Sequence, residues 1–226
     1  MNIVPIVNGN KADTSKFTDD QKKAYKELID FIDSPFDAKD YKRALVGAAG
    51  TGKTYLVKAL ILNSSMSYSL IGLAAPTHKA CRVLNESIHI SGIKASTIQS
   101  DLGLRLNFDI DKFDPNHPPF DPRGKIKVGN YKLYIVDESS MINRGLCSFL
   151  EKTCVTNKCK VIYIGDSSQL APVGEKYSAA FKGTKTSTLK EIVRQGDDNP
   201  VSYLLELLRY DIEHKTYNFL TQNLLF

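Results

Sequence analysis

Several features that would assign a sequence to a special class are missing from this chain of 226 residues. It has no tryptophan, and its 4 cysteines lack the paired spacing of a zinc site, so we expect free thiols, buried or half-buried. No stretch approaches the roughly 18 consecutive apolar residues that a membrane-spanning helix needs. The first residues also lack a basic segment followed by an apolar run. We therefore expect no secretory signal, no membrane partner and a cytoplasmic location.

A strong surplus of either charge is also missing. The 30 Lys and Arg residues against 25 Asp and Glu residues give a formal net charge of +5, which permits a nucleic-acid partner without requiring one. Hydrophobic residues make up 42% of the chain and charged residues 24%, which excludes a disordered chain. The length predicts one large domain, or one domain with an insertion, that can bury a core of its own.

Helical and strand patterns alternate along most of the chain. Helices are predicted over residues 18–32, 53–62, 78–87 and 142–153, and strands over residues 44–46, 68–75, 131–136 and 160–164. The strands are continuous apolar runs, which is typical of strands buried on both faces. The pattern therefore predicts an α/β fold with a mostly parallel sheet flanked by helices.

Residues 107–130 interrupt this alternation. The segment contains four prolines, two glycines and three phenylalanines, with acidic residues at its start and basic residues at its end. It is too long and too rich in proline for a simple connection, so we expect a small Pro-rich insertion, with a hairpin or loop that projects from the sheet. A surface loop packed against itself is an equally valid interpretation.

A glycine-rich segment follows the first predicted strand and leads into a predicted helix. Its sequence GAAGTGKT matches the phosphate-binding pattern G-x-x-x-x-G-K-[ST] in the context that the pattern requires. The glycines let main-chain N–H groups surround a phosphate, a lysine reaches the β- and γ-phosphates, and a hydroxyl binds Mg²⁺. The candidate nucleotide-binding residues are Gly47, Ala48, Ala49, Gly50, Thr51, Gly52, Lys53 and Thr54.

Acidic and amide side chains follow two later strands. Asp137 and Glu138 come directly after the strand 131–136, where the carboxyl ends of parallel strands line a ligand crevice. We expect Asp137 to hold Mg²⁺ and Glu138 to orient or deprotonate the attacking water. Gln169 follows the strand 160–164, and its amide can both donate and accept next to the γ-phosphate.

Five segments together resemble the ordered motifs of one family. They are GAAGTGKT, AAPTHKA (74–80), ASTIQS (95–100), VDESSM (136–141) and GDSSQLAPV (165–173). They are similar to the motifs of superfamily 1 helicases that move 5′ to 3′, in particular the RecD-like group, which includes Dda-like phage helicases. The resemblance implies a RecA-like P-loop NTPase domain, the N-terminal one of two, and an ATP-dependent DNA helicase. It also makes a viral source, and then the host cytoplasm, plausible.

The resemblance assigns roles to residues beyond the phosphate loop. Gln21 corresponds to a residue that contacts the adenine base, and Arg194 to an arginine that faces the γ-phosphate. Single-stranded DNA is implied as a partner of two segments, and Gln99 stands where the family usually has His. The insertion lies where the family carries its strand-separating pin, so Phe108, Phe113 and Phe120 are candidates for stacking on a base. The implied DNA-binding residues are Pro76, Thr77, His78, Lys79, Ser96, Thr97 and Gln99.

The family has two RecA-like domains with ATP held between them, whereas only about thirty residues follow Arg194. We therefore expect residues 1–226 to form the first domain alone, with the second absent and with weak or no activity in isolation. A nucleotide-regulated DNA-binding or scaffold module without unwinding activity is an alternative interpretation. A small kinase is a third, which explains the phosphate loop but not the segments 74–80 and 95–100.

Overall fold

The computed structural model describes residues 11–106, 120–122, 124–166, 169, 172, 174–175, 177–193, 208, 210–212, 214 and 216, and of residues 106 and 120–122 only the backbone. The helices and strands in these ranges, in chain order, are α1 (Asp19–Asp33), β1 (Lys42–Gly47), α2 (Lys53–Asn63), β2 (Ile71–Ala75), α3 (His78–Ile88), β3 (Ser96–Thr97), α4 (Ile98–Asp101), β4 (Leu104–Leu106), β5 (Phe120–Pro122), β6 (Leu133–Val136), α5 (Arg144–Thr156), β7 (Lys160–Gly165) and β8 (Lys185–Leu189).

A sheet of six strands in the order β3-β2-β6-β7-β1-β8 forms the centre of the domain, and every described pair in it is parallel. One face of the sheet packs on α1, α2 and α3, and the other on α4 and α5. In β1, for example, Leu45 belongs to the first core, whereas Ala44 and Val46 belong to the second. The predicted parallel sheet flanked by helices is therefore confirmed.

The strongly apolar elements were predicted, and the polar ones were missed. The segment 68–70 forms a 3₁₀ turn before β2 rather than the start of a strand. No strand was predicted for β8, whose sequence Lys-Thr-Ser-Thr-Leu buries only Ser187 and Leu189. This strand lies at the sheet edge and pairs with β1 on one side only, so its exposed positions are polar.

A buried lysine joins the sheet to the end of α1. The ammonium of Lys160, the first residue of β7, donates to the carbonyls of Phe31, Ile32 and Ser34. These carbonyls belong to the last turn of α1 and its C-cap, where a helix leaves its C=O groups without partners. Burial lowers the pKa of Lys160. The contact therefore holds α1 against the amino end of β7.

A two-stranded antiparallel sheet, in which β4 pairs with β5, lies at the predicted insertion: β4 comes directly before it and β5 lies within it. Residues 107–119 lie outside the described residues, as do the side chains of residues 120–122, so the stacking candidates Phe108, Phe113 and Phe120 stay predictions.

All four cysteines are buried and free, as expected. Within the described ranges, no helix has both the length and the apolar character to cross a membrane.

Candidate nucleotide and nucleic-acid sites

The glycine-rich loop lies between the last residue of β1 and the first residue of α2. Gly50 and Gly52 adopt φ angles of 87° and 82°, a left-handed conformation that suits glycine. At Gly47 a Cβ atom would lie 2.7 Å from the carbonyl oxygen of Leu189 and 2.8 Å from Oγ1 of Thr51. The close packing at Gly47 and the turns at Gly50 and Gly52 therefore require glycine. The strand–loop–helix order is the one that the phosphate-binding pattern needs.

The lysine of the loop folds back onto it. Nζ of Lys53 donates to the carbonyl oxygens of Gly47 at 2.6 Å and Ala48 at 2.8 Å. The ammonium therefore lies against the concave main chain, beside the N-terminus of the 11-residue helix α2, where helix N–H groups point outward. Thr54 is half-buried in the first turn of the same helix. This set of N–H groups, an ammonium and a hydroxyl fits a polyphosphate with Mg²⁺.

Gln21 connects α1 to the loop. Its Oε1 accepts from the N–H of Thr18 at 3.1 Å and completes a capping box at the start of α1. Its Nε2 donates to the carbonyl of Thr51 at 2.9 Å, and a Cβ on Gly52 would lie 2.5 Å from this nitrogen. Gln21 is 2% exposed. In the structure Gln21 therefore holds the phosphate-binding loop at Thr51, and its contact with an adenine base stays a prediction.

The two acidic residues follow β6 directly, and the Asp137 N–H continues the sheet by donating to the Ala74 carbonyl at 2.8 Å. Oδ1 of Asp137 accepts from the N–H of Glu138 at 2.9 Å. Glu138 itself has φ 52° and ψ 38°, a left-handed conformation that is rare outside glycine. This turn directs the chain out of the sheet directly after Asp137, at the carboxyl end of β6.

Burial dominates the electrostatics of this pair. It raises the pKa of Asp137, while the N–H of Glu138 and the charge of Lys53 oppose the shift. The pKa of Glu138 is also raised, by burial and then by the charge of Asp137, with Lys53 acting in the opposite direction and Asp166 adding to the rise. Lys53 therefore acts electrostatically on both acids. The loop and the acids belong to one site.

One cleft of about 530 Å³ contains most of the predicted nucleotide-site residues. The predicted residues that line it are Gln21, Ala49, Gly50, Gly52, Lys53, Thr54, Asp137, Glu138 and Gln169. Lys16, Tyr55 and Val193 also line the cleft and were not predicted. Tyr55 lies on α2 and is 47% exposed. Its position two residues after Lys53 is the sequence feature from which its place in the cleft could have been predicted.

The chain after β8 is attached to the loop from the other side. Oδ2 of Asp20 accepts from the N–H groups of Lys190 at 2.5 Å and Glu191 at 3.1 Å. The N–H of Val193 donates to the carbonyl of Gly50 at 2.9 Å. Arg194 lies outside the described residues, so its role at the γ-phosphate stays a prediction. The residue before it touches the phosphate-binding loop.

A second groove, of about 720 Å³, contains predicted DNA-binding residues from both segments. Pro76 and His78 come from the end of β2 and the start of α3, and Thr97 and Gln99 from β3 and α4. Lys79 is exposed on α3 but does not line this groove. The parallel pairing of β2 with β3 brings the two segments together at one edge of the sheet.

Three hydroxyl groups predicted to bind DNA have contacts within the protein. Thr77 and Thr97 are N-caps, because their Oγ1 atoms accept from the N–H groups of Ala80 and Ser100 at 3.1 and 3.3 Å. Their own protons can still be donated. Ser96 instead donates its proton to Oδ2 of Asp101 at 2.5 Å, so it has none left for a phosphate oxygen. Of the three, Ser96 is therefore the least suited to donate a hydrogen bond to a DNA strand.

Comparison with known proteins agrees with this arrangement. A family model described as an AAA domain matches residues 16–223. The ATP-dependent RecD2 DNA helicase of Deinococcus radiodurans is 34% identical over 185 residues, which are 80% of this chain and 24% of that protein. The ATP-dependent DNA helicase dda of Enterobacteria phage T4 is 32% identical over 166 residues, 72% of this chain and 35% of that protein. The chain thus spans about a quarter to a third of the length of these relatives.

The fold is also found in a solved helicase structure. Bacteroides Pif1 bound to ssDNA superposes with a TM-score of 0.59 at 18% identity, covering 89% of this chain and 47% of that one. At this identity the likeness concerns the fold. Together with the family match over most of the chain and the loop–acid cleft, it settles the class of domain. The chain belongs to the AAA domain family and is a RecA-like motor domain of the superfamily 1 helicase type.

Proposed function

We propose that this chain is the motor domain of an ATP-dependent DNA helicase, which binds Mg-ATP and single-stranded DNA and moves 5′ to 3′ in the complete protein. One observation carries the proposal. Lys53, Asp137 and Glu138 share one cleft at the carboxyl edge of the sheet, while the groove with His78 and Gln99 lies at the same edge, beyond β6. Two ligands can therefore bind side by side on one sheet.

The residues of the cleft have complementary tasks in phosphoryl transfer. The main-chain N–H groups of the loop bind phosphate oxygens, and Lys53 exchanges its carbonyl partners for the β- and γ-phosphates. Thr54 and Asp137 would hold Mg²⁺, which would supply neutralisation of the phosphate charge. Glu138 accepts the proton of the attacking water, and its raised pKa makes the carboxylate a better base. Gln169 positions that water.

The complete protein is proposed to contain a second RecA-like domain, because the chain spans only 24% and 35% of its two helicase relatives. That domain would close the cleft and supply an arginine to the transferred phosphate. Such an arginine is worth about 10³–10⁵ in rate. We therefore expect this chain alone to bind Mg-nucleotide, to hydrolyse it slowly and to leave duplex DNA intact.

Nucleotide binding and turnover test the proposal separately. Lys53→Ala should abolish binding of a fluorescent ATP analogue with Mg²⁺, whereas Lys58→Ala, on the same helix but outside the cleft, should leave binding unchanged. Glu138→Gln should retain binding and lose turnover in the complete protein with single-stranded DNA present. Turnover that is absent from the complete wild-type protein would instead support a scaffold. Transfer of the phosphate to another substrate would support a kinase.

A further inference from the structure

The segment 190–193 is bound to the start of α1 by a carboxylate to which no role was assigned from the sequence. The segment begins directly after the last residue of β8. Oδ2 of Asp20, in the first turn of α1, accepts from the N–H groups of Lys190 and Glu191 at 2.5 and 3.1 Å. The residues that these two hydrogen bonds join are 170 and 171 positions apart in the chain. We call Asp20 and the segment 190–193 the outer brace.

The carboxylate of Asp20 is held on both of its oxygens. Its Oδ1 accepts from the hydroxyl of Thr18, the N-cap of α1. Burial acts to raise the pKa of Asp20, but the Thr18 hydroxyl and the N–H groups of the segment outweigh it, so the pKa is lowered. The side chain of the neighbouring Asp19 is instead 95% exposed and contacts Lys22 of its own helix. Of these two acids, Asp20 is therefore the one that holds the segment 190–193.

The other end of the outer brace lies on the phosphate-binding loop. The N–H of Val193 donates to the carbonyl of Gly50 at 2.9 Å. In a trans peptide unit the C=O and the N–H point in opposite directions, so the N–H of Thr51 points away from Val193. It donates to the carbonyl of Ala48, within the same loop, at 3.4 Å. A hydrogen bond of this length is weak, and a phosphate oxygen can replace its acceptor.

The next peptide unit of the loop is oriented in the same manner. Nε2 of Gln21 donates to the carbonyl of Thr51 at 2.9 Å, so the N–H of Gly52 points away from Gln21. Two consecutive carbonyls of the loop are thus bound by groups outside the loop, one by Val193 and one by Gln21. A loop that binds phosphate needs its N–H groups directed toward the anion. Contacts on the carbonyls therefore determine where the N–H groups point.

From these contacts we infer that Asp20 is a positioning residue for nucleotide binding, which acts through the segment 190–193 and the Gly50 carbonyl to hold the loop in its phosphate-binding conformation. The inference rests on the proposed function and adds to it a residue that does not itself line the cleft. A ligand binds more tightly when the competent conformation is already populated in the free protein, because the apparent Kd rises as that population falls. Loss of the outer brace therefore weakens binding without removing any group that contacts the nucleotide.

Nucleotide affinity of the Asp20→Ala variant is the test. The full chain is titrated with Mg²⁺ and a fluorescent ATP analogue, and separately with the corresponding ADP analogue. A hydrogen bond contributes a factor of about 2–10 to an equilibrium, so the Kd should rise about threefold to tenfold. The rise should be similar for both nucleotides, because the loop also holds the β-phosphate that they share. Removing a negative charge would by itself favour an anionic ligand, so weaker binding identifies the lost contact.

Three further variants make the result interpretable. Asp19→Ala is the matched control, because it removes the same charge from the same helical turn and should not weaken binding. Val193→Pro removes the N–H at the other end of the outer brace and should weaken binding to a similar extent. Combined with Asp20→Ala it should add little, because both changes break one connection. Val193→Ala keeps the N–H and should weaken binding much less than proline does.

Amide hydrogen exchange separates positioning from stability. In the nucleotide-free chain, Asp20→Ala should speed the exchange of the Val193 N–H, whereas Asp19→Ala should not. A residue that only stabilised the fold would lower Tm and leave the Kd of the folded chain unchanged. Faster exchange at Val193 together with a higher Kd is therefore the result expected of a positioning residue.

Each outcome decides a separate question. An unchanged Kd in Asp20→Ala, an equal loss in Asp19→Ala, or additive losses with Val193→Pro would overturn the inference. Weaker binding without faster exchange at Val193 would overturn the segment 190–193 as the connection. A loss confined to the ATP analogue would locate the effect at the γ-phosphate and overturn the role of the loop. Wild-type protein that binds neither nucleotide would overturn the proposed function, and this inference with it.

Discussion

The left-handed backbone of Glu138 makes a stability prediction that is independent of catalysis. Within the described ranges, three non-glycine residues have positive φ, namely His89, Glu138 and Lys158. Two of them are exposed, whereas Glu138 is half-buried at the nucleotide cleft. A strained backbone at such a position is typical of a functional site, where the strain is tolerated because it places a functional side chain.

The cost can be worked out by comparing Glu138→Gly with Glu138→Ala, since both remove the carboxylate. An L-residue in the left-handed region costs about 1–2 kcal/mol. Glycine regains this amount but loses about 0.5–1 kcal/mol through the greater freedom of its unfolded chain. Glu138→Gly should therefore be more stable than Glu138→Ala by about 0.5–1 kcal/mol. In a domain of this size the difference corresponds to about 1–4 °C in Tm.

Urea and thermal denaturation of the isolated chain measure this difference. Lys158 provides a positive control, because its φ of 53° predicts the same order, with glycine above alanine. Lys152, exposed in α5, provides the reverse control, because glycine there should be about 1 kcal/mol less stable than alanine. An alanine variant of Glu138 that equals or exceeds the glycine variant would refute the strained turn. Both Glu138 variants should still bind nucleotide and lose turnover.

Two further predictions concern the same cleft. Burial raises the pKa of Asp137 in the folded protein above its value in the unfolded chain. Above the folded pKa the buried charge therefore lowers the free energy of unfolding, and this loss of stability disappears as the pH falls below the pKa of the unfolded chain. Asp137→Asn should therefore raise the free energy of unfolding at pH 7, with a gain in urea denaturation that shrinks toward pH 4; a gain independent of pH would contradict the burial of this carboxylate. Gly52→Ala should cost more stability than Gly92→Ala and weaken binding of the ATP analogue. Both have φ above 80°, but a Cβ meets Gln21 only at Gly52, so equal costs would contradict the Gln21 contact.

The phosphate-binding loop and the acids could be predicted because their chemistry is local. Glycine at 50 and 52 permits the turns, Lys53 opens a helix, and the apolar strand before Asp137 ends where the polar residues begin. These features depend on neighbours in the chain and on the periodicity of apolar residues. The α/β class followed from the same periodicity.

Other features depended on contacts between distant segments. Gln21 was predicted as a residue for the base, yet its amide holds the loop 30 positions away. The close approach of Gly103 and Gly124 could not be predicted, because these two residues are 21 positions apart in the chain. The edge strand β8 carries too few apolar residues to be recognised, and only its pairing with β1 defines it.

The sequence by itself therefore determined the class of fold, the phosphate-binding loop and the acidic pair, because local backbone preferences and apolar periodicity encode them. The tertiary structure decided which surfaces face each other. Lys160 reaches the end of α1 across more than a hundred positions, and Asp101 holds Ser96 and Lys127 beside one groove. Such contacts arise only when the parallel strands are paired, because the order of strands in the sheet differs from their order in the chain.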